Sequence, residues 1–271
     1  MVYATDVWLA TCGFDRCPTP RDIQTFQPDQ GGRILDRRNR LMGRLETVRR
    51  LNISMKQVPE FVQQAFIATE DRRFYQHDGL DWRGFFRALA SNLRAGRTRE
   101  GFSTITMQVA RNTFAVRKYP ARSLRQKLTE LRLARLIERS LTKQQILELY
   151  FNVIYMGNGV YGVQAASRDL FGRNVNQLNL PQAAMLAALP KAPSAYTPRR
   201  HPQRALARRN LVLSLMVKEG YVSANRLPGL QAERLRIARD EFRPKDANDS
   251  YALDAVRALV DSIIQGGTSS A

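Results

Sequence analysis

A carboxylate pair and a hydroxyl-rich segment carry the residue types in this chain that could do chemistry. The pair is Glu70 and Asp71, and two arginines follow it directly. The hydroxyl-rich segment covers residues 101–112 and carries a cation near its end, at Arg111. A carboxylate can remove a proton as a general base, while cations stabilise the charge of a departing phosphate. The pattern therefore indicates a transfer reaction with a phosphate leaving group.

A second acid, Glu130, lies in the same part of the chain, within residues 66–140, which also hold many cations. An enzyme that hydrolyses a glycosidic bond needs a general acid because its leaving alkoxide is basic, so two carboxylates flank the bond. A diphosphate leaves readily as an anion and needs cations instead. One candidate base region surrounded by cations favours glycosyl transfer over hydrolysis.

The length and charge of the chain limit the classes of partner. The 271 residues suffice for one sizeable core with a short appended segment. The 43 Lys+Arg against 24 Asp+Glu give a net charge of +19. Such an imbalance indicates a polyanionic partner or an anionic surface. Charge alone does not choose among nucleic acid, an anionic membrane face and a diphosphate substrate.

The first residues of the chain have two interpretations. No run of about 18 apolar residues occurs, so no segment of this chain spans a bilayer by itself. Residues 2–10 are weakly apolar and fit either the remnant of a removed membrane anchor or an N-terminal strand. Cys12 and Cys17 are compatible with a disulfide in an oxidising compartment, but two cysteines in a chain with two histidines make a poor metal site.

The elements that position the carboxylate pair begin with a small hairpin. Residues 33–36 and 41–45 flank a polar turn and predict that hairpin. Pro59 suits a first helical position, and the helix should end near Glu70. A carboxylate at a helix C-terminus feels the negative end of the helix dipole, which raises its pKa and makes it a better base.

The next predicted helix is capped by Asp81 and has two interpretations. Its apolar residues recur with helical spacing, and arginines are interspersed among them. The apolar face either packs on the core or lies on an anionic membrane. The apolar residues are Trp82, Phe85, Phe86, Leu89 and Leu93.

The rest of the chain also reads as helical. A long helix runs through Glu130, and Thr142 to Gln145 form a capping-box pattern before the next helix. Residues 226–249 are polar and charged, which is typical of a linker. Further helices are predicted from about Val163, over residues 181–189, over residues 202–219 and over residues 251–264.

Five motifs follow one another along the chain. They are Glu70-Asp71-x-x-Phe74-x-x-His77-x-Gly79, Gly101-x-Ser103-Thr104-Ile105-Thr106-x-Gln108, Lys127-x-x-Glu130, Lys143-x-x-Ile146-Leu147-Glu148-x-Tyr150-x-Asn152 and Arg208-Arg209-x-x-Val212-Leu213. In this order they resemble the peptidoglycan glycosyltransferases of family 51, which occur as transglycosylase domains of class A penicillin-binding proteins and as monofunctional proteins. The resemblance runs from about Arg33 to Leu227, and the order of the motifs makes it specific.

The resemblance implies a mainly α, lysozyme-like fold with a small N-terminal hairpin. It divides the chain into a lead-in at residues 1–32, a glycosyltransferase domain at 33–227, and a linker and tail at 228–271 that leads to an absent transpeptidase domain. The implied substrate is lipid II, which accepts a growing glycan chain from undecaprenyl diphosphate. Glu70 would deprotonate the 4-hydroxyl of the acceptor, and inversion at the donor carbon would give a β-1,4-linked strand.

The resemblance also implies roles for the other motif residues. Glu130 is the second important glutamate of the family, although it could instead pair with Arg125 or Lys127 on its own helix. Asp71 would assist Glu70 or help to hold Mg²⁺ or Mn²⁺ at the diphosphate. His77 is either a substrate contact or, more simply, a structural hydrogen-bonding residue. The remaining candidates for substrate binding are Arg72, Ser103, Thr104, Gln108, Arg111, Arg122 and Lys127.

Some positions depart from the family pattern, and these departures put substrate contacts in doubt. Phe102 stands in place of a small residue, Met107 in place of a glutamine, and Gln126 in place of an arginine. Arg111 stands where the family usually has a lysine. The match of Arg208-Arg209 implies that at least one of the two pairs with a carboxylate near the site.

Two rival functions remain at this point. One is a lytic transglycosylase or lysozyme of similar fold, which would have no diphosphate to bind. The other is a nucleic-acid-binding helical protein, for which no aromatic stacking platform or reading helix is evident. The preferred interpretation places the protein on the extracytoplasmic, periplasmic face of a bacterial cytoplasmic membrane, bound to it through residues 80–97. Cell-wall synthesis proteins and phosphoglycolipid inhibitors such as moenomycin are the expected further partners.

Overall fold

The computed structural model describes residues 11–12, 15–29, 33–35, 37–38, 41–44, 49–95, 103–114 and 124–238. This part of the chain is mainly helical, as the sequence predicts. The helices are α1 (Pro20–Thr25), α2 (Glu60–Glu70), α3 (Trp82–Ala95), α4 (Ile105–Thr113), α5 (Leu124–Ser140), α6 (Lys143–Val153), α7 (Val163–Phe171), α8 (Leu180–Ala188), α9 (Pro193–Tyr196), α10 (Pro202–Lys218) and α11 (Leu227–Ala232). The strands are β1 (Thr11–Cys12), β2 (Asp15–Arg16), β3 (Arg33–Leu35), β4 (Leu41–Arg44), β5 (Arg49–Arg50), β6 (Tyr155–Gly157) and β7 (Val160–Tyr161).

The strands form small sheets at the periphery of the helical core. Strands β3 and β4 pair antiparallel, with Ile34 opposite Gly43, which confirms the predicted hairpin. Strand β7 lies between β5 and β6 and pairs parallel to β5 and antiparallel to β6. The glycine-rich segment after α6 therefore contains a second hairpin. Gly162 has φ +79°, and a Cβ there would lie 2.9 Å from the carbonyl oxygen of Phe151, so the turn into α7 needs glycine.

Helices α2, α8 and α10 pack on one another in the centre of the core. The alanines of α8 allow this close approach because they are small, and all of them are fully buried. Phe66 of α2 is also fully buried and packs edge-on against Tyr150 and Phe151 of α6, with ring centroids 6.0 and 5.2 Å apart. Helix α2 is therefore held on several sides, and its C-terminal residue is Glu70.

Local sequence signals explain where the central helices begin and end. Pro59 is the N-cap residue of α2, one position before the helix. The helix ends as predicted at Glu70, where Asp71 leaves helical geometry. The predicted capping box of α6 is present, since the Thr142 hydroxyl accepts a hydrogen bond from the amide of Gln145 and the side chain of Gln145 accepts one from the amide of Thr142.

Part of the predicted linker packs against the helical core. Helix α11 contacts α8 and α10, and the buried guanidinium of Arg209 donates to the carbonyl oxygens of Gln231 and Glu233. The amide of Ala238 donates to the carbonyl oxygen of Leu170 at 2.7 Å. Residues 228–238 therefore extend the core. Residues 239–271, with the predicted helix over 251–264, lie outside the described residues, as do residues 1–10.

Two further observations concern cysteine pairing and membrane-spanning helices. Cys17 is disulfide-bonded. Among the described residues, the search for a helix both long and apolar enough to cross a bilayer found none.

Candidate active site

A groove of about 430 Å³ lies where the end of α2 meets α3, α4 and α10. It brings together most of the predicted site residues, and it adds several cations from distant parts of the chain. The lining residues are Thr69, Glu70, Asp71, Arg72, Arg73, Asp81, Gly84, Arg87, Ser103, Thr104, Gln108, Arg111, Pro190, Lys191, Arg208 and Leu215.

Glu70 lines this groove as the partly buried last residue of α2. Its Oε2 atom accepts a hydrogen bond from Nε2 of Gln108 at 2.8 Å. Burial raises the pKa of Glu70, and the Gln108 hydrogen bond and the charges of Arg208 and Lys191 oppose this only in part. The carboxylate is therefore a better base than an exposed glutamate, and burial is the main cause.

Asp71 is adjacent in sequence but has a different environment. Its side chain is buried, and both of its oxygens lie within 3.0 Å of Nε2 of His77. One of these oxygens also accepts a hydrogen bond from the amide of Ile105 at 3.0 Å. These contacts join the end of α2 to the start of α4. Two donors already engage Asp71, and these contacts favour a structural role for it over that of a metal ligand.

His77 is held by one contact through its ring and one through its backbone carbonyl oxygen. Besides its contact with Asp71, its carbonyl oxygen accepts a hydrogen bond from Nζ of Lys143 at 2.6 Å. The side chain is buried, and the ring does not line the groove. These contacts support the structural alternative for His77.

Glu130 of α5 is buried and contacts two cations. Its Oε1 atom lies 2.8 Å from Nε of Arg111, and its Oε2 atom lies 3.0 Å from Nζ of Lys127. Lys127 also donates to the hydroxyl of Ser103 at 2.7 Å. Burial lowers the pKa of Lys127, and the carboxylate of Glu130 opposes this shift. The expected pairing of Glu130 with Lys127 on its own helix is present, and Arg111 of α4 joins it.

Thr104 is buried and uses its hydroxyl for local structure. It caps α4 by accepting a hydrogen bond from the amide of Met107, and it donates to the carbonyl oxygen of Gly79 at 2.7 Å. Met107 is fully buried, so this departure from the family pattern lies in the core. Arg122 and Phe102, which the sequence also singles out, lie outside the described residues.

Comparison with known proteins identifies the family of the chain. A model of the transglycosylase family matches residues 38–217, which include every groove residue named above. The chain belongs to the transglycosylase family.

Relatives and a solved structure agree with this assignment. Penicillin-binding protein 1A of Aquifex aeolicus is 42% identical over 247 residues, 91% of this chain and 33% of the relative. Penicillin-binding protein 1A of Escherichia coli (strain K12) is 43% identical over 217 residues, 80% of this chain and 25% of the relative. The crystal structure of penicillin-binding protein 1A from Haemophilus influenzae matches with a TM-score of 0.51 and 27% identity, over 86% of this chain and 24% of that one. The chain thus spans about a quarter to a third of the length of these relatives.

Some cations of the transglycosylase groove were not predicted as site residues. Arg73 and Arg87 line the groove from the first motif and from α3, and Lys191 lines it from the segment after α8. Lys191 directly follows the proline that ends α8, and no local pattern marks it as part of a site. Arg208 also faces the groove and lowers the pKa of Glu70, whereas Arg209 points into the core.

The apolar face of α3 adjoins the transglycosylase groove and is exposed. Trp82, Phe86 and Leu93 are 54%, 61% and 74% exposed, and the rings of Trp82 and Phe86 stack with centroids 6.4 Å apart. For these three residues the core-facing alternative is wrong. Ala88 and Gly84, on the opposite face of this helix, are buried. The side chain of Leu89 lies outside the described residues.

Proposed function

We propose that this chain polymerises lipid II into β-1,4-linked glycan strands with release of undecaprenyl diphosphate. One observation carries the proposal. Of the carboxylates that line the groove in the described part of the chain, only Glu70 has no bonded cationic or imidazole partner, because Asp71 contacts His77 and Asp81 pairs with Arg73. A groove with one available base and many cations suits transfer from a diphosphate better than hydrolysis by two carboxylates.

The proposed reaction starts at Glu70. Its carboxylate removes the proton of the acceptor 4-hydroxyl, and the oxygen then forms a bond with the anomeric carbon of the donor. The bond from that carbon to the phosphate oxygen breaks on the opposite side, and its electron pair leaves with the diphosphate. Attack opposite the leaving group inverts the anomeric carbon, and the proton stays on Glu70 until solvent removes it.

The cations of the groove stabilise the charge that develops on the diphosphate. Arg111 is held in place by Glu130, and its guanidinium offers a bidentate fork for phosphate oxygens. Arg73, Arg87 and Lys191 add further charge. Phosphoglycolipids such as moenomycin would compete for the same cations.

A divalent metal ion is expected from the family resemblance but is not supported by the residues present. No group of three or more His, Cys, Asp or Glu side chains in the described part of the chain could hold a metal ion. Asp71 is occupied by His77 and Ile105. We therefore assign no step of the reaction to a metal, and dependence on Mg²⁺ or Mn²⁺ stays a prediction.

The exposed face of α3 supports a position on the outer face of the cytoplasmic membrane. Aromatic and leucine side chains next to arginines suit the boundary between lipid headgroups and acyl chains. Lipid II is itself anchored in that membrane, so this face would bring the groove to its substrate. Since the matched relatives are penicillin-binding proteins of which this chain spans only a quarter to a third, we also propose that the chain is the transglycosylase part of a bifunctional protein.

The test of the main proposal is polymerisation of labelled lipid II in detergent by the wild type and by Glu70→Gln. Glu60→Gln is the matched control, because Glu60 lies at the other end of the same helix and is exposed. Polymer from the wild type and the control, but not from Glu70→Gln, is the expected result. Equal polymer from all three would exclude Glu70 as the base. Shortening of preformed glycan strands without synthesis would favour the lytic alternative.

Membrane binding has its own test. We expect Trp82→Ala combined with Phe86→Ala to reduce cosedimentation with anionic vesicles. Tyr75→Ala is the control, since Tyr75 is an exposed aromatic residue outside α3. Unchanged binding of the double variant would exclude this face as the membrane contact.

A further inference from the structure

The α6 motif contains a buried hydroxyl group, that of Tyr150, whose hydrogen bond the described contacts do not supply. Glu148 and Asn152 of this motif fasten α6 to residues 53–55, since the Glu148 carboxylate accepts from the amide of Met55 at 2.6 Å and Asn152 exchanges two hydrogen bonds with Ile53. Tyr150 lies between them and is fully buried. Its hydroxyl has no hydrogen-bond partner in the part of the chain that the structure describes. A buried hydroxyl without a partner costs free energy, so a group of this kind indicates an interaction that the resting contacts do not show.

The ring of Tyr150 places this hydroxyl near the groove. It packs against Phe66 of α2, and Glu70 lies one helical turn after Phe66. The ionisable groups whose charges act on the Tyr150 hydroxyl are Glu70, Asp71 and Arg111, all of which line the groove. Arg111 cannot accept a hydrogen bond. Of these three groups, the two carboxylates can accept a hydrogen bond from the Tyr150 hydroxyl.

The two carboxylates differ in the number of hydrogen bonds that they can still accept. Asp71 already accepts from His77 on both oxygens and from the amide of Ile105. Glu70 accepts one side-chain hydrogen bond, from Gln108. A carboxylate has about four lone-pair sites, so Glu70 can take a second donor and still present a lone pair to a substrate hydroxyl.

We propose that Tyr150 is a positioning residue whose hydroxyl donates a hydrogen bond, directly or through one water molecule, to the Glu70 carboxylate. The donor fixes the orientation of the carboxylate and favours its ionised form. This inference rests on the proposed function for its catalytic meaning, but the contact itself does not depend on that function. Catalytic hydrogen bonds are often long in a free enzyme and shorten when substrate binds, in keeping with the absence of a direct bond in the resting structure.

The Tyr150 phenol keeps its proton throughout the pH range in which activity is measured. Burial raises the pKa of Tyr150 well above its ordinary value, and the charges of Glu70 and Asp71 raise it further. Tyr150 is thus a permanent donor. The other groups that act on Glu70 are Asp71, Gln108, Arg208 and Lys191, and they are unchanged by a substitution at Tyr150.

The first arm of the test measures the contact without any activity. The pKa of the Glu70 carboxyl is measured by carbon NMR titration in the wild type, in Tyr150→Phe and in Tyr161→Phe. Tyr161 is a matched control because it loses the same hydroxyl in the peripheral sheet, where its ring lies under Arg50. We expect the pKa of Glu70 to rise in Tyr150→Phe alone, because a donor to the charged form is lost. An unchanged pKa would overturn the proposal.

The second arm measures lipid II polymerisation as a function of pH. We expect kcat/KM of Tyr150→Phe to fall about ten- to hundredfold near neutral pH, the effect of one hydrogen bond to a charged group. The acidic limb of the profile should move to higher pH, and the rate should recover at alkaline pH. A uniform loss at every pH would mean a structural role and would overturn the proposal.

The two arms separate failure of this inference from failure of the proposed function. If the wild type makes no polymer, the proposed function is wrong, while the titration still shows whether Tyr150 contacts Glu70. If Tyr150→Phe does not fold, 3-fluorotyrosine at position 150 replaces it. That residue keeps the shape and is a stronger donor, so the pKa of Glu70 should fall, and an unchanged pKa would again overturn the proposal.

Discussion

Glu70 and Glu130 are both glutamates of the family motifs, yet their surroundings differ. Glu70 ends a core helix, contacts one amide donor and faces the groove. Glu130 lies within a helix, is almost wholly buried and contacts two cations. The first environment raises the pKa of the Glu70 carboxyl and makes it a better base, whereas the second holds Glu130 between two cations as their counter-ion. The same side chain can therefore serve as the base or hold the cations, and the neighbours determine which.

The largest expected effect in this comparison is on the rate of Glu70→Gln. Loss of a general base should lower kcat for lipid II polymerisation about 10²- to 10⁴-fold, with the fold intact. The measurement is initial rate together with a circular dichroism spectrum. A loss of less than tenfold would mean that Glu70 and Glu130 do not differ in the way described.

Glu130→Gln should affect stability as well as rate. Removal of the carboxylate takes away the counter-ion that Lys127 and Arg111 share. We expect a loss of about 1–3 kcal/mol in the free energy of unfolding, below the full value for a buried pair because both cations are partly exposed. Urea denaturation measures this, and the rate should fall because Arg111 is no longer held. Wild-type stability would show that the network is not a counter-ion site.

Lys127→Gln should have a smaller effect than Glu130→Gln. Glu130 keeps Arg111, and the amide can still donate to Glu130 or to Ser103. The expected loss is about 1 kcal/mol in the same denaturation experiment. If Lys127→Gln costs as much as Glu130→Gln, Lys127 and not Glu130 is the centre of the network.

The smallest expected effect is a pH-dependent increase in the thermal stability of Glu70→Gln over that of the wild type. The pKa of Glu70 is raised in the folded state above its ordinary 4.5, so the folded state binds the proton more tightly than the unfolded state does. This contribution to stability is fully present below pH 4.5 and is lost as the pH rises through the raised value. The Tm of Glu70→Gln should therefore exceed that of the wild type at neutral pH, and the difference should shrink as the pH falls towards 4.5. A lower Tm at neutral pH would contradict burial as the cause of the shift.

Activity should depend on pH in the opposite sense. Glu70 must be ionised to act as a base, so the rate should fall as the pH drops through its raised pKa. The measurement is kcat/KM against pH. An acidic limb at the ordinary pKa of a glutamate would mean that the carboxylate is not buried in solution.

Much of the fold was predictable because its signals are local. Pro59, the capping box at Thr142 and the glycine after α10 each act within a turn or two of the helix that they begin or end. The site was less predictable. Lys191 reaches the groove from a segment that no motif marks, and Arg72 pairs with Glu219 at a separation of 147 residues. Periodicity carries no information about such pairs.

The sequence by itself determined the family, the helix that ends at Glu70 and the cations of the motifs, since motif spacing and capping residues act locally. The tertiary structure decided which carboxylate stays available to act as a base. Burial, the His77 contact of Asp71 and the cations at Glu130 all depend on packing between helices. It also decided that the aromatic face of α3 is exposed and not part of the core, because an amphipathic pattern does not state what covers its apolar side.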